Sequence, residues 1–359
     1  MTTENEERLQ RLASWLRKPL DSSDVTVTAA GKPSSGFSAQ TSIIEASWTD
    51  SSGAQQVEKL VLREETPDRA VYPVQDPSIP IEIEVQVRVL SALGGCGLPV
   101  ARILGYESDP ALLGSPFFVM EYVTGEVPIE SPMYTTEGFF TEATAEQRRR
   151  LLEDGLTVLA RLHQVDWQAA GLDWLAGKEV PIDGSRRQLQ LWTDYLTAEL
   201  AGRDHPLVTH ALAWLPDHLP ADESVGFCWG DARPGNIIWQ DFRVGSVTDF
   251  EASCLASPAF DVGWWLMFDR WAHEGSGVER LPGEPTRQQQ LDLYNQLSGC
   301  DIRDTVAHEV FAALRYTAVV VGVMNRLAGR GLMPPESMVW RDNPASEVLA
   351  MLLEESARE

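Results

Sequence analysis

The sequence predicts an α+β fold in two parts, the first built on antiparallel strands and the second mainly helical. Strand-like runs dominate residues 1–123, and leucine-striped helical patterns dominate residues 124–359. Within the helical part, two short apolar runs at 237–239 and 244–247 predict a hairpin turned at 241–243. A chain of 359 residues is long enough for two such parts, each with its own core.

The N-terminal part, residues 1–123, is predicted to begin with an amphipathic helix over 6–16, where leucines and a tryptophan recur at helical spacing. Turn-forming clusters then separate a series of strand-like runs. We place the strands at 24–29, 41–48, 55–63, 101–106 and 117–122. One crossover helix, over 83–93, lies between the third and fourth strands and stops at Gly94-Gly95.

The C-terminal part begins where Thr124-Gly125-Glu126-Val127-Pro128 interrupts the strand pattern, so we place the domain boundary between residues 123 and 124. A strong helix is predicted over 144–164, because Thr144 and Gln147 form a capping box ahead of a leucine stripe. Further helices are predicted at 186–201, 205–215, 258–274, 287–297, 306–329 and 345–354.

The charge balance constrains the partners. The chain has 53 acidic and 29 basic residues, a net charge of −24, which argues against a nucleic-acid backbone or an anionic membrane as partner.

The four cysteines show no metal-site or disulfide spacing and are interpreted as reduced thiols. No apolar run long enough to cross a bilayer is apparent, and the acidic N-terminus does not resemble a signal peptide. We therefore expect a cytoplasmic protein.

The stretch from Trp229 to Asn236, Trp-Gly-Asp-Ala-Arg-Pro-Gly-Asn, carries the strongest functional signal. Asp231, Asn236 and Asp249 together make a compact set of oxygen ligands, and the predicted hairpin would return Asp249 to the level of Asn236. Phosphoryl transfer needs such a set, because one carboxylate orients the attacking hydroxyl while an amide and another carboxylate hold magnesium. Each residue alone is also an ordinary turn former, but a solvated turn needs no second Asp after the next strand.

These residues resemble the aminoglycoside phosphotransferase-like branch of the protein-kinase-like superfamily, whose motif is His-Gly-Asp-Leu-His-Pro-Gly-Asn followed by Asp-Trp-Glu. The resemblance implies a bilobal fold with a small N-terminal lobe, holding a five-stranded antiparallel sheet and one crossover helix, and a larger helical lobe with a catalytic hairpin. It implies Asp231 as catalytic base, Asn236 and Asp249 as magnesium ligands, and Asp261 as a support of the catalytic loop. ATP and magnesium are the implied cofactors, although the residues do not distinguish ATP from GTP.

Two departures from that motif are visible. Trp229 stands where the family has its first His, and we interpret it as a structural replacement. Arg233 stands where the family has its second His. Its guanidinium is expected either to assist catalysis by reaching the transferring phosphate or to lie on the surface of a polar loop.

The nucleotide contacts are predicted in the N-terminal lobe. Small and hydroxyl residues in the loop between the first two strands would cover the phosphates, namely Ser34, Ser35, Gly36 and Ser38. Arg63 stands where kinases carry a lysine on strand three, and Lys59 is a second candidate. Its acidic partner on the crossover helix would be Glu84, or that position would be held by Gln86, and the sequence leaves this choice open.

The strand that ends at Tyr122 resembles the segment leading into the adenine hinge of kinases. By that resemblance, backbone groups of Glu121 and Val123 would bond the purine edge.

The acceptor is expected to be a small-molecule alcohol bound in the helical lobe. The candidate lining residues are Trp264, Trp265, Arg270, Trp271, Arg315, Tyr316, Met324 and Arg326. Within the family, the Trp-Gly-Asp-Ala-Arg form at 229–233 looks most like the branch associated with acyl-CoA dehydrogenases, which implies a hydroxyacyl-CoA or similar metabolite. Two alternatives stay open, an aminoglycoside O-phosphotransferase and a nucleotide-binding pseudokinase. A protein kinase is disfavoured, because nothing between Asp249 and Asp261 resembles an activation loop.

Overall fold

The structure is a computed structural model that describes residues 3–31, 40–129, 132–177, 184–221, 223–334 and 336–358. The chain divides into two compact units. Unit 1 comprises Met1–Asp68 and Ile81–Thr124, and unit 2 comprises Arg69–Pro80 and Gly125–Glu359. Residues 69–80, which the sequence analysis placed in the N-terminal part, therefore belong to unit 2.

Unit 1 contains the predicted five-stranded antiparallel sheet, in which the strands, numbered along the chain, lie in the order first, second, third, fifth, fourth. The predicted crossover helix lies between the third and fourth strands in the chain. The elements are α1 (Thr3–Leu16), β1 (Thr26–Gly31), β2 (Gln40–Thr49), β3 (Gln55–Glu64), α2 (Glu82–Gly95), β4 (Ile103–Glu107) and β5 (Phe117–Glu121). The predicted α+β fold class is confirmed.

Alternation along β3 separates the two faces of this sheet. Leu60 and Leu62 belong to a buried core that also includes Leu12 and Leu16 of α1. Arg63 lies between Leu62 and Glu64, and it points to the opposite face because successive side chains of a strand alternate. The leading helix thus covers one face of the sheet and leaves the Arg63 face to other groups.

Unit 2 is mainly helical. Its helices are α3 (Phe139–Glu142), α4 (Ala145–His163), α5 (Gly184–Leu200), α6 (Pro206–His218), α7 (Ala259–Arg270), α8 (Arg287–Ser298), α9 (Val306–Gly329) and α10 (Pro344–Ser356). The predicted capping box of α4 is present, with Thr144 accepting from Gln147 N and Gln147 accepting from Thr144 N. The predicted helix over 258–274 ends earlier, because α7 passes into a π turn at Trp271–Gly275.

Two short antiparallel pairs complete unit 2. The predicted hairpin consists of β7 (Ile237–Gln240) and β8 (Arg243–Val247). A second pair, formed by β6 (Gly226–Cys228) and β9 (Cys254–Ala256), was not predicted, because each strand has only three residues. These two strands lie immediately before and after the segment that carries Asp231, Asn236 and Asp249, so they fix both ends of it.

Helix α9 is the one helix in the described part of the chain that is long and apolar enough to cross a membrane by composition. Its most apolar stretch is 67% buried inside the protein, and the helix packs against α7 and α10. We interpret it as the central core helix of unit 2, since a buried core helix has the same composition as a membrane span.

Candidate active site

The hairpin β7–β8 brings two of the predicted site residues to the same level. Ile237 pairs with Val247, so Asn236 and Thr248 face each other just beyond the paired strands. The Thr248 N–H and hydroxyl both donate to Asn236 O at 2.9 Å. Asp249 is the next residue after Thr248, so the backbone at Asp249 lies close to Asn236. The length of the hairpin predicts this position.

Asp231 is 6% exposed, and hydrogen bonds orient its carboxylate. Its Oδ1 accepts from Trp264 Nε1 at 2.8 Å and from Arg233 Nε at 2.9 Å. Its Oδ2 lies 3.4 Å from the Tyr72 hydroxyl. Arg233 thus forms an ion pair with the predicted base and does not lie on an open surface. Its contact with the transferring phosphate stays a prediction.

Burial raises the pKa of Asp231 to about 7, and the negative charge of Asp249 adds to the rise. Hydrogen bonds from Asn236 and Trp264 favour the ionised carboxylate and oppose the rise. A general base is most effective when its pKa lies near the working pH. The environment of Asp231 is therefore suited to proton abstraction near neutrality.

Asp261, at the start of α7, holds the backbone ahead of Asp231. Its two oxygens accept from Trp229 N at 2.6 Å and Gly230 N at 2.9 Å. His163 Nε2 lies 3.1 Å from the same carboxylate, and His163 Nδ1 lies 2.6 Å from the Tyr294 hydroxyl. Possible ligand atoms of His163, Cys228 and Asp261 all lie within 4.8 Å of one another. Because Asp261 and His163 already have these partners, we interpret the cluster as a support of the loop.

Trp229 links the two halves of the predicted motif. Its indole N–H lies 2.8 Å from Thr248 O and 3.1 Å from Asp249 O, so it donates to the backbone at the second Asp. Asp249 adopts a φ of 55°, in the left-handed region that Asp tolerates better than most residues. The structural interpretation of Trp229 agrees with these contacts.

Gly230 is required by its conformation and its surroundings. Its φ is 90°, and a Cβ at this position would lie 2.0 Å from Ala252 O. Its carbonyl accepts from a guanidinium nitrogen of Arg315. No side chain larger than hydrogen fits here without moving the loop at 229–236.

Arg315 was expected to line the acceptor site, and this expectation is wrong. The side chain is completely buried, with its Cζ 3.5 Å from the Phe260 ring centroid and 4.3 Å from that of Trp264. Burial lowers its pKa to about 10, so it remains a cation at neutral pH. Arg315 therefore stabilises the loop through Gly230 O from inside the core.

Two more of the expected lining residues belong to the core. Trp265 is 2% exposed and donates from Nε1 to Gln290 Oε1 at 2.7 Å. Arg270 is buried and pairs with Glu309, at 3.5 Å, and with Glu355. Both side chains were assigned to the acceptor site because aromatic and basic residues at helical spacing resemble a lining. Their partners lie on other helices, which a local pattern does not reveal.

Three of the remaining candidates, Trp264, Trp271 and Tyr316, form an aromatic cluster next to Asp231 together with Phe268, which was not a candidate. Trp264 is buried, whereas Phe268, Trp271 and Tyr316 are half-buried, and the ring centroids of these last three lie 4.9–5.6 Å apart. Arg233 Cζ lies 5.3 Å from the Phe268 centroid, so one cation contacts both the cluster and Asp231. The arrangement gives the predicted base a partly apolar neighbourhood.

In unit 1, burial distinguishes the two candidate cations on β3. Arg63 is 9% exposed, whereas Lys59 is exposed and lies 5.8 Å from the Tyr122 ring centroid. Arg63 is therefore the better candidate for a phosphate contact. It stands on the sheet face that α1 does not cover.

Glu84 and Gln86 differ in burial because α2 turns them to different sides, while their contact with Arg63 stays a prediction. Gln86 is 1% exposed on the buried side of the helix. Glu84 is partly exposed, accepts from Arg88 Nε at 3.0 Å and lies 3.4 Å from the Tyr106 hydroxyl. The buried position on this helix thus carries an amide instead of a carboxylate.

The other nucleotide contacts remain predictions. The Glu121 N–H donates to Arg102 O at 3.0 Å, so a purine contact from this residue would use its carbonyl. Val123 is half-buried just after β5. The four phosphate-loop candidates, Ser34, Ser35, Gly36 and Ser38, lie outside the described residues.

Comparison with known proteins assigns the family. A model of the phosphotransferase enzyme family (APH) matches residues 59–287, more than half of the chain. The chain belongs to this phosphotransferase family.

The phosphotransferase is 33% identical to mouse acyl-CoA dehydrogenase family member 10 over 187 residues, which are 51% of this chain and 16% of the relative. It is 28% identical to family member 11 of Pongo abelii over 258 residues, 68% of this chain and 31% of the relative. The chain thus spans less than a third of the length of these relatives.

Solved structures show that the phosphotransferase shares its fold with aminoglycoside phosphotransferases. A Ralstonia eutropha protein, described as a candidate aminoglycoside phosphotransferase, aligns with a TM-score of 0.70 at 22% identity and covers 96% of this chain and 98% of its own. The GDP and kanamycin complex of APH(2")-IIIa aligns with a TM-score of 0.56 at 14% identity, covering 97% and 99%. At these identities the likeness establishes the fold, and the family supports phosphoryl transfer of the kinase type.

Proposed function

We propose that this phosphotransferase moves the γ-phosphate of ATP to a hydroxyl of a small molecule, with magnesium as the metal. One observation carries the proposal: a buried carboxylate, Asp231, is oriented through one oxygen by two donors and lies on the same loop as Asn236. The hairpin returns Asp249 to that loop. A solvated turn needs none of this support.

Asp231 would act as the general base. Trp264 and Arg233 both bond Oδ1, so Oδ2 is the oxygen that would accept the proton of the acceptor hydroxyl. The acceptor oxygen then forms its bond to the γ-phosphorus as the bond from that phosphorus to ADP breaks. Holding the base in one orientation lowers the entropic part of the barrier.

Asn236 and Asp249 fit a magnesium ion by their donor chemistry. The Asn236 amide nitrogen donates to Asp231 O at 3.0 Å, so its Oδ1 is the atom that remains for a cation. Amide and carboxylate oxygens are the ligands that magnesium prefers. When bound, the ion supplies neutralisation of the charge on the phosphates. Arg63 and the backbone at Glu121 and Val123 are proposed to bind the nucleotide.

The acceptor proposed is a hydroxyacyl-CoA-like or other metabolite alcohol. The groups that contact or flank Asp231 include aromatic rings and the Arg233 cation, which suit a partly apolar group next to the reacting hydroxyl. The relatives named acyl-CoA dehydrogenase family members 10 and 11 support the acyl-CoA class. An aminoglycoside acceptor is the alternative, supported by the fold of the solved neighbours.

A nucleotide-binding pseudokinase is the second candidate function. The observation that favours it is the amide of Gln86 on the buried side of α2, where the family resemblance leads us to expect a glutamate. In that case the protein would bind the nucleotide and turn over no alcohol.

The test is a screen of MgATP and MgGTP turnover with hydroxyacyl-CoAs, simple alcohols and kanamycin, comparing the wild type with Asp231→Asn. We expect turnover on at least one acyl-CoA alcohol and a kcat about 10²–10⁴-fold lower in the variant, since general-base catalysis contributes that much. Thermal shift by MgATP should be retained in both proteins. Wild-type turnover in the variant would reject Asp231 as the base, and MgATP binding without turnover on any acceptor would favour the pseudokinase.

A further inference from the structure

Residues 69–80 connect β3 to α2 in the sequence but are held by unit 2. Arg187 of α5 donates to Gln75 Oε1 at 3.0 Å and to Gln75 O at 2.8 Å. Gln188 Nε2 donates to Gln75 Oε1 at 2.8 Å. At the other end of the segment, Arg326 of α9 donates to Arg69 O. The connection is therefore tethered on both sides of Tyr72.

These tethers place Tyr72 at the predicted base. Its ring packs edge-on against Trp192, with centroids 6.3 Å apart, and its hydroxyl lies 3.4 Å from Asp231 Oδ2. Asp231 Oδ1 already accepts from Trp264 and Arg233. The phenol thus stands at the oxygen that the proposed mechanism assigns to the acceptor hydroxyl.

The length of this contact is informative. Hydroxyl-to-carboxylate hydrogen bonds are usually about 2.5–2.8 Å long, so a contact of 3.4 Å is weak. An acceptor hydroxyl that approaches to normal distance would displace it at little cost. Water would gain less from the same exchange, because the aromatic rings beside Asp231 offer it few hydrogen bonds.

We propose that Tyr72 is a positioning residue of the acceptor site, whose phenol keeps water from Asp231 Oδ2 until an acceptor hydroxyl takes its place. The inference rests on the proposed function, because it assumes that Asp231 is the base. It adds a reason for the long β3–α2 connection: the segment suppresses wasteful hydrolysis of ATP, in which water attacks the γ-phosphorus, loses its proton to Asp231 and releases ADP.

The experiment measures release of inorganic phosphate from MgATP without any acceptor. Tyr72→Phe keeps the ring and removes the hydroxyl, so we expect hydrolysis to rise about twofold, the lower end of what one hydrogen bond contributes, because the contact is weak. Tyr72→Ala opens space for water as well and should raise hydrolysis further. Adding Asp231→Asn to either variant should return hydrolysis to the background, whereas a change that merely loosens the fold would not depend on Asp231.

Tyr195→Phe is the matched control. Tyr195 also packs edge-on against Trp192, at 5.7 Å, but its hydroxyl faces Gly322 of α9. Hydrolysis by this variant should equal that of the wild type. If Tyr72→Ala fails to fold, shown by a lost thermal transition, Tyr72→Phe alone decides the question.

The outcomes separate the inference from the proposed function. Turnover on an acceptor with unchanged hydrolysis in the Tyr72 variants would overturn the role of Tyr72 and leave the proposed function standing. A rise that persists in the Asp231→Asn background would overturn it as well. If neither the wild type nor any Tyr72 variant consumes MgATP under any condition, although MgATP binds, both are wrong.

Discussion

The loop at 229–236 in unit 2, which carries the predicted base, and the predicted nucleotide-binding residues of unit 1 are held in different ways. The loop is fixed at its backbone by buried charged groups: Asp261 binds two N–H groups and Arg315 binds the Gly230 carbonyl. In unit 1, Arg63 lies on a regular strand, and the predicted purine contacts use backbone groups. Chemistry that needs a fixed carboxylate depends on side chains from several helices. If Arg63 and the backbone of β5 bind the nucleotide as proposed, that binding should depend less on distant side chains than the orientation of Asp231 does.

The largest effect that would sharpen this comparison is at Arg63. Arg63→Gln should raise the KM for MgATP about 10–100-fold, because charge-assisted hydrogen bonds contribute about 1.5–3 kcal/mol each, and should leave the acceptor KM unchanged. Steady-state kinetics with each substrate varied in turn measures both. Lys59→Gln removes an exposed cation from the same strand and should change neither KM. An equal rise of the KM for MgATP in both variants would contradict a specific role of Arg63, because it would show that only the overall charge affects nucleotide binding.

A smaller effect is expected at Trp229. Trp229→Phe removes the N–H that holds the Thr248 and Asp249 carbonyls. We expect a loss of about 1–3 kcal/mol in the free energy of unfolding. We also expect kcat to fall roughly tenfold, because Asp249 is positioned less firmly. Trp265→Phe is the control, since it removes an indole hydrogen bond to Gln290 from the core. Denaturant unfolding and kcat are compared, and equal losses of kcat in both variants would contradict the role of Trp229.

The sequence alone predicted the fold class, and it predicted that the hairpin returns Asp249 to the level of Asn236. Asn236 and Asp249 are separated by one hairpin, so the lengths of its two strands predict that both residues lie at the same end of it. The capping box of α4 was likewise local and was predicted correctly.

Features that depend on distant contacts could not be predicted. Arg315 looks like a pocket residue in the sequence, but its partners come from the loop at Gly230 and from α7. Tyr72 gave only a weak signal, the Val71-Tyr72-Pro73 run within a polar connection. Its place beside Asp231 follows from tethers to α5 and α9, which are more than 100 residues away. The burial of Gln86 and the partial exposure of Glu84 depend on the orientation of α2, which the helical period alone left open.

The central claim is that Asn236 and Asp249 present oxygen ligands beside the base Asp231. It is tested most directly by electron paramagnetic resonance of Mn²⁺, used in place of Mg²⁺, in the presence of ATP. The wild type should bind Mn²⁺ in an ATP-dependent way, and Asp249→Ala should lower that affinity and the turnover at least about 100-fold while keeping its thermal transition. An Asp249→Ala protein with the wild-type Mn²⁺ spectrum and wild-type turnover would contradict the account.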